Sequence, residues 1–297
     1  MRILVIGHAA YDITMAVDQF PKENTKNRID NRVECGGGPA ANAAYLLAKW
    51  GLDVSFAGIV GNDEYGQKIK NELDSVGVNT TYLEFSDDYA TTNSFIVANK
   101  ENGSRTIFTY RSKNMAMKSC DIDFEPDIIL CDGQEIEMTN YMLDLYPKAI
   151  SIIDAGRPTE EIIKLSKRVN YLVCSKDFAE SVSNIKINSN NDMIKLYNFM
   201  KQEFSNEVII TLEEQGCLYS IENQIKIMPS LKVKAVDTTG AGDIFHGAFT
   251  YGIAQKWPLE KCLKVANIAG ALSVTKIGSK YSIPAKEEIE KYEAVFK

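Results

Sequence analysis

The sequence predicts an α/β protein: a mostly parallel sheet covered by helices on both faces, with a small separate β-sheet appended. Three observations predict it. Short apolar runs alternate with helical patterns along nearly the whole chain, as crossover helices between parallel strands require. Two stretches, residues 12–33 and 90–110, break that rhythm with alternating half-polar patterns, as strands with one exposed face do. The 297 residues suffice for one large α/β domain with an appendage.

The elements follow in order. Residues 2–7, Arg-Ile-Leu-Val-Ile-Gly, are an apolar run of strand length. Residues 39–50 are rich in Ala and Leu and stop at Gly51, as a helix does. Residues 54–60 read as a strand and 64–76 as a helix closed by Gly77. Short apolar strands are expected at 127–131, 149–153 and 171–174, with helices at 138–146, 159–167 and 176–183 between or after them. Asn188-Ser-Asn-Asn191 is a polar linker suited to cap a helix over 192–204. Residues 208–211 form a strand, and 217–221 with 224–228 a hairpin. Helices near 241–255, 259–275 and 285–296 finish the chain. In the second excursion, Asn93-Ser-Phe-Ile-Val-Ala98 and Arg105-Thr-Ile-Phe-Thr-Tyr110 flank the turn-like Asn99-Lys-Glu-Asn-Gly103. The two excursions are expected to pair as antiparallel strands into one lid on a single domain spanning 1–297.

Composition narrows the function classes. An apolar fraction of 45% and a charged fraction of 25% are those of a globular protein. A net charge of −7 with no basic run disfavours nucleic acid as a partner. No stretch approaches the length of a membrane span, and the first residues lack the features of a signal peptide. The six cysteines show no CxxC pair and no metal-ligand spacing, so free thiols in a cytoplasmic protein are expected. A Rossmann GxGxxG and a Walker P-loop are both absent, for Gly7 is followed by His-Ala-Ala-Tyr-Asp.

The chemistry concentrates in Val236-Asp-Thr-Thr-Gly-Ala-Gly-Asp-Ile-Phe-His-Gly-Ala-Phe249. Glycines at a helix start let unpaired amides and the positive helix end approach an anion. Asp243 at that mouth has two readings. It stabilises the helix start electrostatically, or it accepts a proton from a hydroxyl attacking a phosphoryl group held by the amides. Phosphoryl transfer asks mainly for alignment and charge stabilisation, and a base beside the nucleophile supplies the rest.

Asp237-Thr-Thr-Gly-Ala-Gly-Asp243 resembles the C-terminal signature of the ribokinase-like (PfkB) carbohydrate kinases. Cys35-Gly-Gly-Gly-Pro-Ala-Ala-Asn-Ala-Ala44, about 200 residues upstream, resembles their N-terminal signature. The other landmarks, from the opening strand to the Pro284-Ala-Lys-Glu-Glu-Ile289 ending, come in the family's order. The resemblance implies a ribokinase-like three-layer sandwich with a β-sheet lid. It further implies an ATP-dependent sugar kinase with Asp243 as base and Gly240, Ala241 and Gly242 as anion hole. Asp12, Gly37, Gly38 and Asn42 match sugar-binding positions; Thr211, Gly216, Asn267 and Ser175 match the nucleotide side. ATP with Mg²⁺ is implied, along with a homodimer through the lid. Asp237, Thr239, Gly278 and Ser282 fall where potassium-activated relatives supply oxygens. Arg105 on the lid and Glu135 after a strand are candidates for substrate contact, and Arg157 for an anionic group. His8 and His246 show no partner in the sequence and read as packing residues.

Two departures stand out. The usual Thr-x-Gly-x-x-Gly reads Thr211-Leu-Glu-Glu-Gln-Gly216, so Glu213 replaces a glycine. Where many members carry Asn-x-x-Glu, this chain has Ser175-Lys-Asp-Phe178. Both are closer to ketohexokinase-type members. Two alternatives stay open: a nucleoside kinase of the same superfamily, and a nucleotide- or sugar-binding regulator with weak catalysis. The sugar itself, whether ketose, pentose or acidic derivative, is not encoded legibly, since specificity rests on a few contacts.

Overall fold

In the computed structural model, residues 1–30, 32–101 and 103–295 are described. Position 102 of the predicted turn, position 31 of the first excursion and position 296 of the last predicted helix lie outside them. β1 (Arg2–Ile6) is the pivot. The chain leaves it through β2 (Ala10–Val17) and β3 (Arg32–Gly37), then returns by α1 (Pro39–Lys49), β4 (Asp53–Gly61), α2 (Glu64–Ser75) and β5 (Leu83–Ser86). A second departure makes β6 (Asn93–Asn99) and β7 (Arg105–Tyr110). Then follow β8 (Ile128–Cys131), α3 (Ile136–Leu145), β9 (Ile150–Ala155), α4 (Glu160–Ser166), β10 (Tyr171–Ser175), α5 (Lys176–Ser183) and α6 (Asn190–Glu203). β11 (Glu207–Thr211), the hairpin β12 (Cys217–Ile221) and β13 (Gln224–Met228), and helices α7 (Ala241–Ala254), α8 (Leu259–Ser273) and α9 (Lys286–Val295) complete the chain.

Among the described residues the large sheet runs β13-β12-β11-β10-β9-β8-β1-β4-β5. Pairs from β11 to β5 are parallel, and the pairs β11–β12 and β12–β13 are antiparallel. Strand alternation divides the core. Ile3 and Val5 face a cluster with Leu46, Leu47, Leu73, Phe249 and Leu263, whereas Leu4 and Ile6 face Met138, Leu165, Leu196 and Tyr197. A one-residue register slip would exchange the two faces. The strand order reverses beside β1: β4 follows on one side and β8 on the other. In open α/β sheets the crevice at the carboxyl ends of such strands is where ligands bind. No helix among the described residues is long and apolar enough to cross a membrane, and all six cysteines are free thiols.

The second sheet runs β3-β2-β6-β7. β2 pairs antiparallel with β3, and β6 with β7, but β2 and β6 are parallel. This corrects the expectation of an antiparallel lid. Between β3 and β6 the chain re-enters the core, so β2 and β6 both set out from the sheet in the same direction. Side-chain alternation reports which face a residue occupies, not which way its neighbour runs. β5 went unread because only Leu83 of its four residues is fully buried. Ser189 caps α6 by accepting from Asp192 N, as the polar linker predicted.

Candidate active site

The loop before α7 turns on Gly240, whose φ of 78° places it in the left-handed region as N-cap. A Cβ there would sit 2.8 Å from Ser279 Cβ. The amides of Ala241, Gly242 and Asp243 lie in the first turn, where no intrahelical carbonyl is available to them. A Cβ built on Gly242 meets nothing within 4 Å. The result is an open, donor-rich floor at the positive end of a 14-residue helix.

Asp243 stands at its edge, half-buried. Its carboxylate accepts a 2.7 Å hydrogen bond from Asn42 Nδ2, a residue 201 positions earlier. The two signature motifs therefore meet at one hydrogen bond. Burial pushes the Asp243 carboxyl above its ordinary range, and the Asn42 donor, His246 and Arg105 pull it back only partly. Asn42 is itself 1% exposed, and its Oδ1 is buried with no hydrogen-bond partner. A buried carbonyl oxygen left unpaired is costly and awaits a donor.

Asp12 lies on β2, opposite the strand that ends in Gly36 and Gly37. A Cβ on Gly37 would come 2.0 Å from Asp12 Oδ2, so only glycine lets this carboxylate occupy its place. Burial, with the nearby Asp243 charge, pushes Asp12 up to about 7. At Gly38 (φ 93°) a Cβ would strike the His8 carbonyl at 2.5 Å, which holds the α1 N-terminus against the end of β1. Asp132 secures the same corner: it accepts from His8 N at 2.8 Å, Ala40 N at 3.2 Å and Gln134 N at 3.0 Å.

The lid reaches this site. Arg105 donates to Thr238 Oγ1 in the loop before α7, and that hydroxyl donates to the Gly103 carbonyl at 3.2 Å. Glu135 is committed elsewhere. It is 2% exposed, accepts from Met117 N at 2.8 Å and lies 3.7 Å from Arg111, so it anchors the chain after the lid. Arg111, not singled out from the sequence, also donates to Gln134 Oε1 at 2.7 Å. Arg157 is exposed. His8 Nδ1 lies 3.2 Å from an Arg111 guanidinium nitrogen, and burial and Arg111 push its imidazole down to about 3.

Of the residues expected on the nucleotide side, Ser175 caps α5 by accepting from Phe178 N at 3.1 Å, and Thr211 Oγ1 donates to the Cys174 carbonyl at 3.3 Å. Glu213 adopts φ 56°. A left-handed backbone at a non-glycine residue costs about 1 kcal/mol. Gly216 is irreplaceable in this path, since a Cβ would lie 1.9 Å from the Met228 carbonyl. Asn267 is 4% exposed and donates to that same carbonyl at 3.2 Å, so it is a buried anchor and not a helix-surface amide. Phe178 is fully buried and packs against Phe204.

Asp237 is 1% exposed; it accepts from Thr239 N at 2.9 Å and from Gly278 N at 3.0 Å. Among the described residues no cationic side chain lies within ion-pair distance of it. Thr239 Oγ1 is buried without a partner, and Ser282 Oγ donates to the Ser279 carbonyl at 2.9 Å. Among the described residues there is no group of three or more His, Cys, Asp or Glu that could hold a metal ion. Beneath the loop before α7, His246 faces Asp154 at 3.3 Å. No spacing in the sequence links these two, because they meet only across the α7–β9 packing.

Comparison with known proteins gives a consistent answer. The family model described as pfkB family carbohydrate kinase matches residues 1–286. The chain is 26% identical to the ribokinase of Staphylococcus aureus (strain COL), covering 97% of this chain and 98% of that one. It is 27% identical to the deoxyribokinase of Salmonella typhi, with 98% of each covered. Its fold is similar to Arabidopsis thaliana ribokinase solved with ribose and ATP: TM-score 0.80, 21% identity, 97% of each chain covered.

Proposed function

This chain belongs to the pfkB family of carbohydrate kinases, and from that premise we propose that it transfers the γ-phosphoryl group of ATP to a hydroxyl of a small sugar. Asp243 is the general base and the 240–243 backbone is the anion hole. The carrying observation is the Asn42–Asp243 hydrogen bond of 2.7 Å beside the open floor at Gly242.

In this reading the sugar lies between Asp12, the Gly37 and Gly38 backbone, and Asn42. Asp12 accepts hydroxyl protons, and Asn42 Oδ1, unpaired and buried, takes another. The reacting hydroxyl faces Asp243, which accepts its proton as the new oxygen–phosphorus bond forms and ADP departs. First-turn amides of α7 hold the charge on the transferring oxygens. Arg105, brought by the lid to Thr238, adds a positive charge as the lid closes and excludes water. The nucleotide lies along Thr211–Gly216, with Ser175 and Asn267 shaping the backbone around it. Mg²⁺, when bound with the nucleotide, would supply the counter-charge its phosphates need; the described residues offer it no group of three or more His, Cys, Asp or Glu. Asp237, Thr239, Gly278 and Ser282 suit a monovalent cation, because Asp237 is a buried carboxylate with no cationic neighbour among the described residues, and the adjoining Thr239 hydroxyl is orphaned.

The exposed lid face, with Phe108 at 63% and Tyr110 at 58% exposure, supports a homodimer through the lid. Similarity to a ribokinase and a deoxyribokinase puts pentoses first among acceptors. The test is ADP release over a panel of sugars, with adenosine, guanosine and cytidine alongside. Turnover on a pentose or another sugar supports the reading, and turnover on nucleosides alone replaces it with a nucleoside kinase. With the best acceptor, Asp243→Asn is expected to lower turnover by about two or more orders of magnitude and to leave ATP affinity nearly unchanged. Equal turnover refutes the base assignment.

A further inference from the structure

His246 is 3% exposed and sits one helical turn after Asp243 on α7. Its Nδ1 lies 2.6 Å from the Gly242 carbonyl, and its Nε2 lies 3.1 Å from the Val173 carbonyl on β10. Carbonyl oxygens only accept hydrogen bonds. A neutral imidazole has one protonated nitrogen, so its other lone pair would face a carbonyl oxygen in the dry interior. Both contacts are made only when both nitrogens carry protons. A counter-charge is at hand, for Asp154 Oδ2 at the end of β9 lies 3.3 Å from Nδ1.

We propose that His246 and Asp154 form a buried imidazolium–carboxylate pair that strengthens the anion hole from behind, through the Gly242 carbonyl. The Gly242 carbonyl and the Asp243 N–H belong to one peptide unit. A charged donor on that oxygen draws electron density toward it and makes the N–H on the opposite side a stronger donor. In the proposed mechanism that N–H is one of the amides that hold the transferring phosphoryl. His246 acts through this peptide and touches no reactant, so it is a positioning residue.

The surrounding charges bear on when the pair is complete. Facing the pair are Asp243 on α7, Asp132 at the end of β8 and the Cys174 thiol on β10. Burial and the two neighbouring aspartates push Asp154 up to about 7, while His246 pulls it down. The same positive ring lowers the Asp243 carboxyl, alongside Asn42 and Arg105. A cation here thus serves two carboxylates and one carbonyl, whereas a neutral ring serves none of them fully.

The inference rests on the proposed anion hole, and the experiment separates the two. In the wild-type protein, ¹⁵N–¹H correlation spectra of the imidazoles should show both His246 nitrogens protonated between pH 6 and 8. A pyridine-like nitrogen on His246 across that range overturns the proposal. Calorimetry with ADP and with the imido analogue of ATP supplies the second readout. Gly242→Ala, which fills the open floor, should weaken the analogue and spare ADP. His246→Gln, which keeps one donor but no charge, should lower the analogue's affinity relative to ADP by about tenfold, the low end for supporting partners. If Gly242→Ala changes neither nucleotide, the anion-hole reading fails. If Gly242→Ala weakens the analogue but His246→Gln does not, only the role of His246 fails.

Discussion

Gly37→Ala is the most discriminating single change to the sugar side. The new methyl would lie 2.0 Å from Asp12 Oδ2 and 2.5 Å from its Cγ. A non-bonded carbon and oxygen need roughly 3.3 Å, so the carboxylate must retreat by about 1.3 Å. Asp12 is 6% exposed and held in the β2 ladder, so the retreat cannot be absorbed by solvent. Misplacing a substrate-positioning group by about 1 Å costs on the order of 100-fold in rate. Overpacking also costs about 1–3 kcal/mol of stability. We therefore expect kcat/KM for the best sugar to fall about 100-fold, with the KM for ATP within about twofold of wild type. The assay is coupled ADP release, with thermal melting in parallel. Because Asp12→Ala/Gly37→Ala has no clash, it should recover the lost stability without recovering activity, a non-additivity diagnostic of direct contact. Unchanged sugar kinetics in Gly37→Ala would refute the placement of Asp12 over this glycine.

Further outcomes follow from the same geometry. Asp12 and Glu135 are each pushed to about 7, above the ordinary carboxylate values of the unfolded chain. Between pH 4 and 7 the folded chain thus holds protons that the unfolded chain has released, so these groups lower stability as pH rises through that window. Ligand-free protein should melt lower at pH 8 than at pH 5, with a shallower slope in Asp12→Asn; a slope of equal steepness in that variant would contradict the burial of Asp12. Turnover should be higher in potassium chloride than in tetramethylammonium chloride, and Thr239→Val should remove the difference while remaining folded. Identical rates in the two salts would exclude the cation pocket around Asp237. Phe108→Glu should convert a dimer to a monomer in sedimentation at micromolar concentration, and a monomeric wild type would count against pairing through the lid.

The legible parts of the site were those built from local backbone. Gly37, Gly38, Gly240 and Gly216 each occupy a spot where a Cβ would collide with other atoms, and glycine spacing before a helix is visible in a linear string. At Glu213, which stands where the motif usually has glycine, the backbone takes a positive φ. Less legible were side chains whose partners lie far along the chain. Glu135 ends a strand on the active-site edge, yet its carboxylate turns inward to Met117 N. Phe178, in the place where many relatives carry an acidic residue, is core. His246 looked like helix packing and proved to stand against Asp154 and two carbonyls.

By itself, the sequence determined the alternation of strands and helices, the two glycine motifs and the identity of the base candidate. These depend on periodicity, turn chemistry and residue type, all of which act over a few neighbours. Only the tertiary structure decided that Asn42 meets Asp243, that β2 runs parallel to β6, that Glu135 faces inward, and that a buried histidine stands between Asp154 and the Gly242 carbonyl. Each of those depends on which distant segments the sheet order brings together, and on which polar atoms remain unpaired once water has been excluded.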